Sequence, residues 1–290
     1  MAEREKQPSA PKVSSRQKKM ICDGLSFAAA EAYKLLRTNL LFTLPEKECR
    51  VIGVTSSVQG EGKSTTSINL AYTIAQTGKR VLLIEADLRL PSLAAKLGII
   101  ESPGLSNLLV GLGQEQDCLR QSGYFDNWLI LPAGDIPPNP SELLGSERMH
   151  AVLEHYKKMF DYIIIDLPPV NIVTDALVIS RWTDGLILTV RQNYTDKKAF
   201  NACLYQLRKL ETKFLGFVMT DASSGKSGYG YGNHGKYGKY SKYVKKSYGY
   251  GKFRGKTTRK EQEFIDAAND IFVGGSDPDD VEVYSDTDDS

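Results

Sequence analysis

Three short stretches of this 290-residue chain carry residue types that handle phosphate: TSSVQGEGKST (55–65), VLLIEADLRLP (81–91) and YIIIDLPPV (162–170). In the first, glycines lead into a lysine and two hydroxyl residues. Such a turn, placed between a strand and a helix, wraps backbone N–H groups around an anion. Lys63 then reaches the β- and γ-phosphate oxygens of ATP, and the Ser64 hydroxyl binds Mg²⁺. The expected nucleotide contacts are Ser57, Gly60, Glu61, Gly62, Lys63, Ser64 and Thr65, with Arg89 from the second stretch. Ser57 stands where this motif usually opens with glycine. Asp166 closes an apolar run and suits the magnesium shell. Glu85 and Asp87, two residues apart on extended chain, can face one site. One carboxylate can then order a metal while another acts as base. Lys63, Glu85, Asp87 and Asp166 are the expected catalytic group, and Ser64, Asp87 and Asp166 the expected metal set. Transfer to water and transfer to a side chain need the same equipment.

Positioning these residues requires a parallel sheet. Apolar runs at 51–56, 81–87, 128–134, 162–167, 185–190 and 214–220 alternate with segments that read as helices near 63–77, 140–159, 174–182 and 195–212. Several runs are apolar at nearly every position, as strands covered on both faces are. The alternation predicts a three-layer α/β/α domain of the P-loop NTPase class with a mostly parallel central sheet. In such sheets ligands bind beyond the carboxyl ends of the strands, where the three motifs lie.

These motifs, together with the loop GDIPPNPSELLGS (134–146), resemble the bacterial tyrosine-kinase family of capsule and exopolysaccharide biosynthesis over about residues 25–222. Singly, each also fits P-loop ATPase switches of the cell-division and partition type, whose basic tail would bind membrane or nucleic acid. The resemblance implies an ATP- and Mg²⁺-dependent kinase that phosphorylates a C-terminal tyrosine cluster, commonly on a neighbouring subunit. It also implies a homo-oligomer, a ring in some members, with a separate transmembrane adaptor of the polysaccharide chain-length type and a cognate tyrosine phosphatase. Nucleic acid is not an expected partner. Glu85 replaces the family's usual aspartate, whereas Asp87 and Arg89 match. EAYKLLR (31–37) is similar to the family's E-x-x-R-x-x-R interface helix, with Glu31 and Arg37 in place and Lys34 for an arginine. From spacing alone it is an amphipathic helix with a solvated polar face.

The ends of the chain read differently. Residues 1–20 form an expected flexible basic arm without the apolar core of a signal peptide. The kinase-like domain is expected over 21–222. Residues 223–260 form a tail rich in Gly, Lys and Tyr, and 261–290 an acidic one. Residues 225–260 hold eleven Lys/Arg and no acid, whereas 261–290 hold eleven Asp/Glu and no base. Such blocks bury too little apolar surface to order themselves and are expected to be disordered. Seven of the fifteen tyrosines lie in the basic block. Under the resemblance, Tyr229, Tyr231, Tyr237, Tyr240, Tyr243, Tyr248 and Tyr250 are the tethered phosphoacceptors. The sequence contains no apolar run near the ~18 residues of a membrane span. Its four scattered cysteines suggest reduced thiols rather than a disulfide or zinc framework. The expected location is therefore cytoplasmic, at the inner face of the membrane through the adaptor.

Overall fold

The computed structural model describes residues 21–209 and 213–222. The arm, both tail segments and the seven clustered tyrosines lie outside the described residues. All described residues belong to one unit of the chain.

The strands are β1 (Arg50–Ser56), β2 (Val81–Glu85), β3 (Arg120–Gln121), β4 (Trp128–Leu131), β5 (Tyr162–Asp166), β6 (Gly185–Arg191) and β7 (Phe214–Thr220). They form one sheet in the order β3-β4-β2-β5-β1-β6-β7. All pairings are parallel except that of β3 with β4. β5 takes the slot between β1 and β2, so Asp166 emerges between the phosphate loop and the second acidic stretch. Glu85 is in register with Asp166 across the β2–β5 pair.

Alternating side chains feed two cores. Val51, Leu82, Ile84, Ile163, Ile165, Leu186 and Leu188 pack on one face of the sheet. Ile52, Val54, Val81, Leu83, Ile164 and Ile187, their immediate neighbours, pack on the other. The period of two in a strand forces this division, and it explains why β2 and β5 are apolar at every position before their terminal acids. Helices α1 (Phe27–Thr43) and α2 (Lys63–Ala75) cover the second face. Among the described residues the remaining helices are α3 (Leu93–Leu97), α4 (Leu105–Val110), α5 (Glu115–Cys118), α6 (Pro140–Leu144), α7 (Glu147–Lys157), α8 (Asp175–Ser180) and α9 (Lys197–Lys209). Residues from α4, α7, α8 and α9 fill the first face. The three-layer architecture expected from the alternation is the one observed.

Details differ where local chemistry overrides periodicity. The helix expected over 140–159 breaks at Gly145–Ser146, because the Ser146 hydroxyl accepts from Met149 N–H at 3.3 Å and starts a new helix. A Cβ at Gly145 would lie 2.9 Å from Val178 Cγ1, so glycine lets α8 approach. The runs 81–87 and 128–134 stop being strand at Glu85 and Leu131, the latter just before Pro132, which has no N–H to donate. Short α3, α4 and α5, and the two-residue β3, carry too little pattern to be read in advance. Cys22, Cys49, Cys118 and Cys203 are buried free thiols.

Candidate active site

The phosphate loop leaves β1 and closes on Lys63, the first residue of α2. Gly60 and Gly62 have φ of +84° and +89°, the left-handed region that glycine enters without steric cost. Ser57 is not in that region, so no glycine is required there. Its hydroxyl instead donates to both oxygens of Glu61 at 2.9 Å. Glu61 is fully buried and also accepts from Val58 N–H at 2.8 Å and from the Thr195 hydroxyl. Ser57 and Glu61, expected at the nucleotide, therefore turn their side chains into the loop and brace it. From outside, the Tyr194 hydroxyl donates to Gln59 O, Arg191 to Gly60 O and the Thr220 hydroxyl to Glu61 O. Arg191 ends β6, Tyr194 follows it and Thr220 ends β7, all at the carboxyl side of the sheet.

Lys63, Asp87 and Asp166 converge. Lys63 Nζ lies 2.7 Å from Asp87 Oδ2 and 3.8 Å from Asp166 Oδ2. Burial pulls the lysine toward neutrality, but Asp166, Asp87 and Glu85 outweigh it and raise its pKa, so it stays charged. Asp166 is completely buried, and that burial holds its carboxyl above the usual range despite Lys63 and a Ser64 hydrogen bond. Ser67 Oγ reaches Asp166 Oδ1 at 3.1 Å, whereas Oδ2 has no hydrogen-bond partner. A buried carboxylate oxygen without a hydrogen bond, next to the Ser64 hydroxyl, fits a divalent cation. Among the described residues no group of three His, Cys, Asp or Glu side chains could hold a metal alone. That suits Mg²⁺, which is held by one or two carboxylates, with phosphate and water completing its shell.

Glu85 stands one layer deeper than Asp87. It has no exposed surface, and its Oε1 accepts from Leu93 N–H at 2.8 Å and from Ser92 N–H, fixing the start of α3. Burial pushes its carboxyl up to about 7, against the lowering effect of those two backbone bonds. The sequence put Glu85 and Asp87 on one side by strand parity; the strand ends at Glu85, and beyond it parity no longer governs. Arg89 lines the cleft but spends its guanidinium on the buried Asp175 carboxylate, 2.9 Å, and on Ser141, 3.0 Å. It thereby ties the second acidic stretch to the 134–146 loop and to α8. Gly60, Gly62, Lys63, Ser64 and Thr65 line the same cleft of about 1230 Å³, which extends to Ala29 and Tyr33 of α1 and to Val218 of β7.

Two residues of the cleft carry no motif. Ser92 Oγ reaches Ser64 Oγ at 3.1 Å, and Lys96 Nζ reaches Ser92 Oγ at 2.6 Å. Burial lowers the Lys96 pKa. Their only sequence signal is position: both follow the carboxyl end of β2. The α1 residues expected at an interface do not join the site. Lys34 and Glu31 pair with each other at 2.9 Å, and Arg37 Nη1 donates to Thr73 O of α2 at 2.6 Å.

The AAA domain family matches residues 49–214. The chain is 35% identical over 205 residues to the tyrosine-protein kinase YwqD of Bacillus subtilis, covering 70% of this chain and 85% of that protein. It is 35% identical over 212 residues to the tyrosine-protein kinase CpsD of Streptococcus agalactiae, covering 70% and 88%. Among solved structures, the chimerical protein CapA2B2 superposes with a TM-score of 0.66 at 29% identity, over 72% of this chain and 92% of that one. The kinase domain of the Escherichia coli tyrosine kinase ETK gives 0.65 at 29% identity, over 79% and 89%.

Proposed function

The chain belongs to the bacterial tyrosine-protein kinases, and on that premise we propose that it transfers the γ-phosphoryl group of ATP to its own C-terminal tyrosines. The convergence of Lys63, Asp87 and Asp166 at the mouth of the phosphate loop carries this reading. Without nucleotide, Lys63 is held by carboxylates. When ATP seats its phosphates on the loop N–H groups, Lys63 turns to the β- and γ-oxygens and releases Asp87. Ser64 and Asp166 would hold Mg²⁺, which would supply charge neutralisation to the transferring phosphoryl group. The tyrosine oxygen attacks the γ-phosphorus, the bond to the β,γ-bridging oxygen breaks, and ADP leaves. The phenolic proton, with an ordinary pKa near ~10, passes to Asp87. Asp87 is the base because it is the carboxylate that Lys63 uncovers; Glu85 is a positioning residue that anchors α3.

The acceptors are Tyr229, Tyr231, Tyr237, Tyr240, Tyr243, Tyr248 and Tyr250, on a neighbouring subunit of a homo-oligomer. A Gly-rich chain of ~25 residues has a random-coil reach on the order of 25–30 Å, enough to cross a subunit boundary. Helix α1 contacts that neighbour through Glu31 and Lys34 while Arg37 braces it from within. A separate transmembrane adaptor recruits and activates the kinase at the inner face of the membrane, a tyrosine phosphatase resets it, and the pair of reactions regulates capsule or exopolysaccharide export. No helix among the described residues is long and apolar enough to cross a membrane.

The test is to incubate the full chain with ATP–Mg²⁺ and the adaptor's cytoplasmic segment, then map phosphotyrosine by mass spectrometry. The seven-fold Tyr→Phe variant should lose most of the label and keep ATP binding. Phosphate release without phosphotyrosine would replace this reading with an ATPase switch. Mixing Lys63→Met chains with intact-site, all-Phe chains places label on the Lys63→Met chain only if transfer crosses subunits.

A further inference from the structure

One array of polar atoms at the site is not used by the mechanism above. Lys96, in the last turn of α3, donates to Ser92 Oγ at 2.6 Å. Ser92 Oγ donates to Ser64 Oγ at 3.1 Å. The lysine end of this array is chemically one-way, because an ammonium has protons and no lone pair. Ser92 Oγ therefore accepts from Lys96 and turns its own proton to Ser64. Ser64 Oγ accepts that proton on one lone pair, which leaves the other uncommitted. The backbone of Ser92 is fixed as well, through its N–H to Glu85.

We infer that Lys96, acting through Ser92, is a positioning residue that fixes the proton order of the Ser64 hydroxyl and so presents its free lone pair to Mg²⁺. The inference rests on the nucleotide–Mg²⁺ reading given above. Without Lys96, Ser92 can turn its hydroxyl either way and Ser64 loses its imposed orientation. Two other roles for a lysine here predict different behaviour. A bare positive charge opposes a divalent cation, so its removal would tighten Mg²⁺ binding. A lysine that grips phosphate directly would be missed even when no metal is present.

The experiment follows the fluorescence of methylanthraniloyl-ADP on the full chain, first in EDTA and then across a Mg²⁺ titration. Lys96→Met and Ser92→Ala should each raise the Mg²⁺ concentration at half-saturation by about three- to tenfold, the loss of one net hydrogen bond. Lys96→Arg should recover part of that loss. Binding in EDTA should equal that of wild type in all three variants. Ser92→Ala keeps the Lys96 charge and the backbone bond to Glu85, so its effect cannot come from either. An unchanged or lower half-saturation in Lys96→Met, or weaker binding in EDTA, overturns the inference. If wild type shows Mg²⁺-dependent binding and the variants match it, this relay alone fails. If wild type shows no Mg²⁺ dependence, the metal site fails and the relay with it.

Discussion

Two lysine–carboxylate pairs in this molecule have nearly the same geometry and very different surroundings. Lys63 and Asp87 meet at 2.7 Å with side chains 10% and 6% exposed; Lys34 and Glu31 meet at 2.9 Å with both 43% exposed. Distance alone would rank them as equals. The difference lies in the solvent: water screens the pair on α1, where an i,i+3 contact contributes only a few tenths of a kcal/mol. In the cleft water is largely excluded and further carboxylates crowd the same ammonium. Breaking a pair of that kind costs about 3–5 kcal/mol, because the partner is left buried and charged. The cleft can therefore do chemistry with charges that on α1 would only decorate a surface.

The sharpest way to break this contrast is Lys63→Met. Phosphotransfer should fall by about three orders of magnitude or more, since the phosphates lose their partner where screening is weakest. Stability of the ligand-free protein should also fall, by up to about 3–5 kcal/mol in denaturant titrations. Wild-type phosphotyrosine levels in this variant would remove the cleft from the reaction. Next in size, Asp166→Asn should reduce turnover by about 10²–10³ and abolish the Mg²⁺ dependence of nucleotide binding. An isostructural variant that keeps a normal Mg²⁺ titration would move the metal elsewhere.

A subtler probe is Glu85→Gln, which removes a buried charge without removing its acceptor oxygen. The folded-state pKa of Glu85 is raised to about 7 from 4.5. Its contribution to stability is therefore fully present at low pH and is lost as pH climbs through that interval. The glutamine variant escapes that loss. It should match wild type at pH 4.5 and exceed it above pH 7 by on the order of 2–3 kcal/mol. A gain that did not vary with pH would mean that Glu85 titrates normally. As a positioning residue, Glu85 should also leave turnover within about tenfold of wild type when replaced by Gln. A collapse by several orders of magnitude would assign the base role to Glu85.

The smallest effect belongs to α1. Lys34→Ala should change monomer stability by no more than about 0.5 kcal/mol. Arg37→Ala should cost about 1 kcal/mol, because it frees the Thr73 carbonyl that its guanidinium now satisfies. If the Glu31, Lys34, Arg37 triple alanine variant lowers the assembly state in light scattering, α1 is an interface. An unchanged assembly would leave it a solvated face.

Much of this contrast was legible before any coordinates. The run TSSVQGEGKST sets glycines where the chain needs positive φ and a lysine where a helix begins, and Gly60, Gly62 and Lys63 occupy those places. Asp166 follows four residues that could only be a buried strand. Ser57 was harder, since the motif offered glycine as the norm; its pairing with Glu61 lies within five residues, yet the side-chain bond is visible only once the loop is closed. Arg89 read as a nucleotide contact because its partner Asp175 is 86 residues away. Arg37 read as an interface residue because Thr73 is 36 away.

The sequence alone determined the class of sheet, the phosphate loop and the identity of the acids, because each depends on periodicity or on neighbours along the chain. Short runs that are apolar at nearly every position, spaced by helical segments, point to strands covered on both faces, and a Gly-rich turn before a helix exposes N–H groups whatever lies elsewhere. Only the tertiary structure decided what each charge faces. Inserting β5 between β1 and β2 placed Asp166 beside the Lys63–Asp87 pair, and Glu85 anchors the start of α3. It also brought Lys96 and Ser92 to Ser64. Those outcomes depend on distances between segments far apart in the chain and on how much water their packing excludes, and no local pattern encodes either quantity.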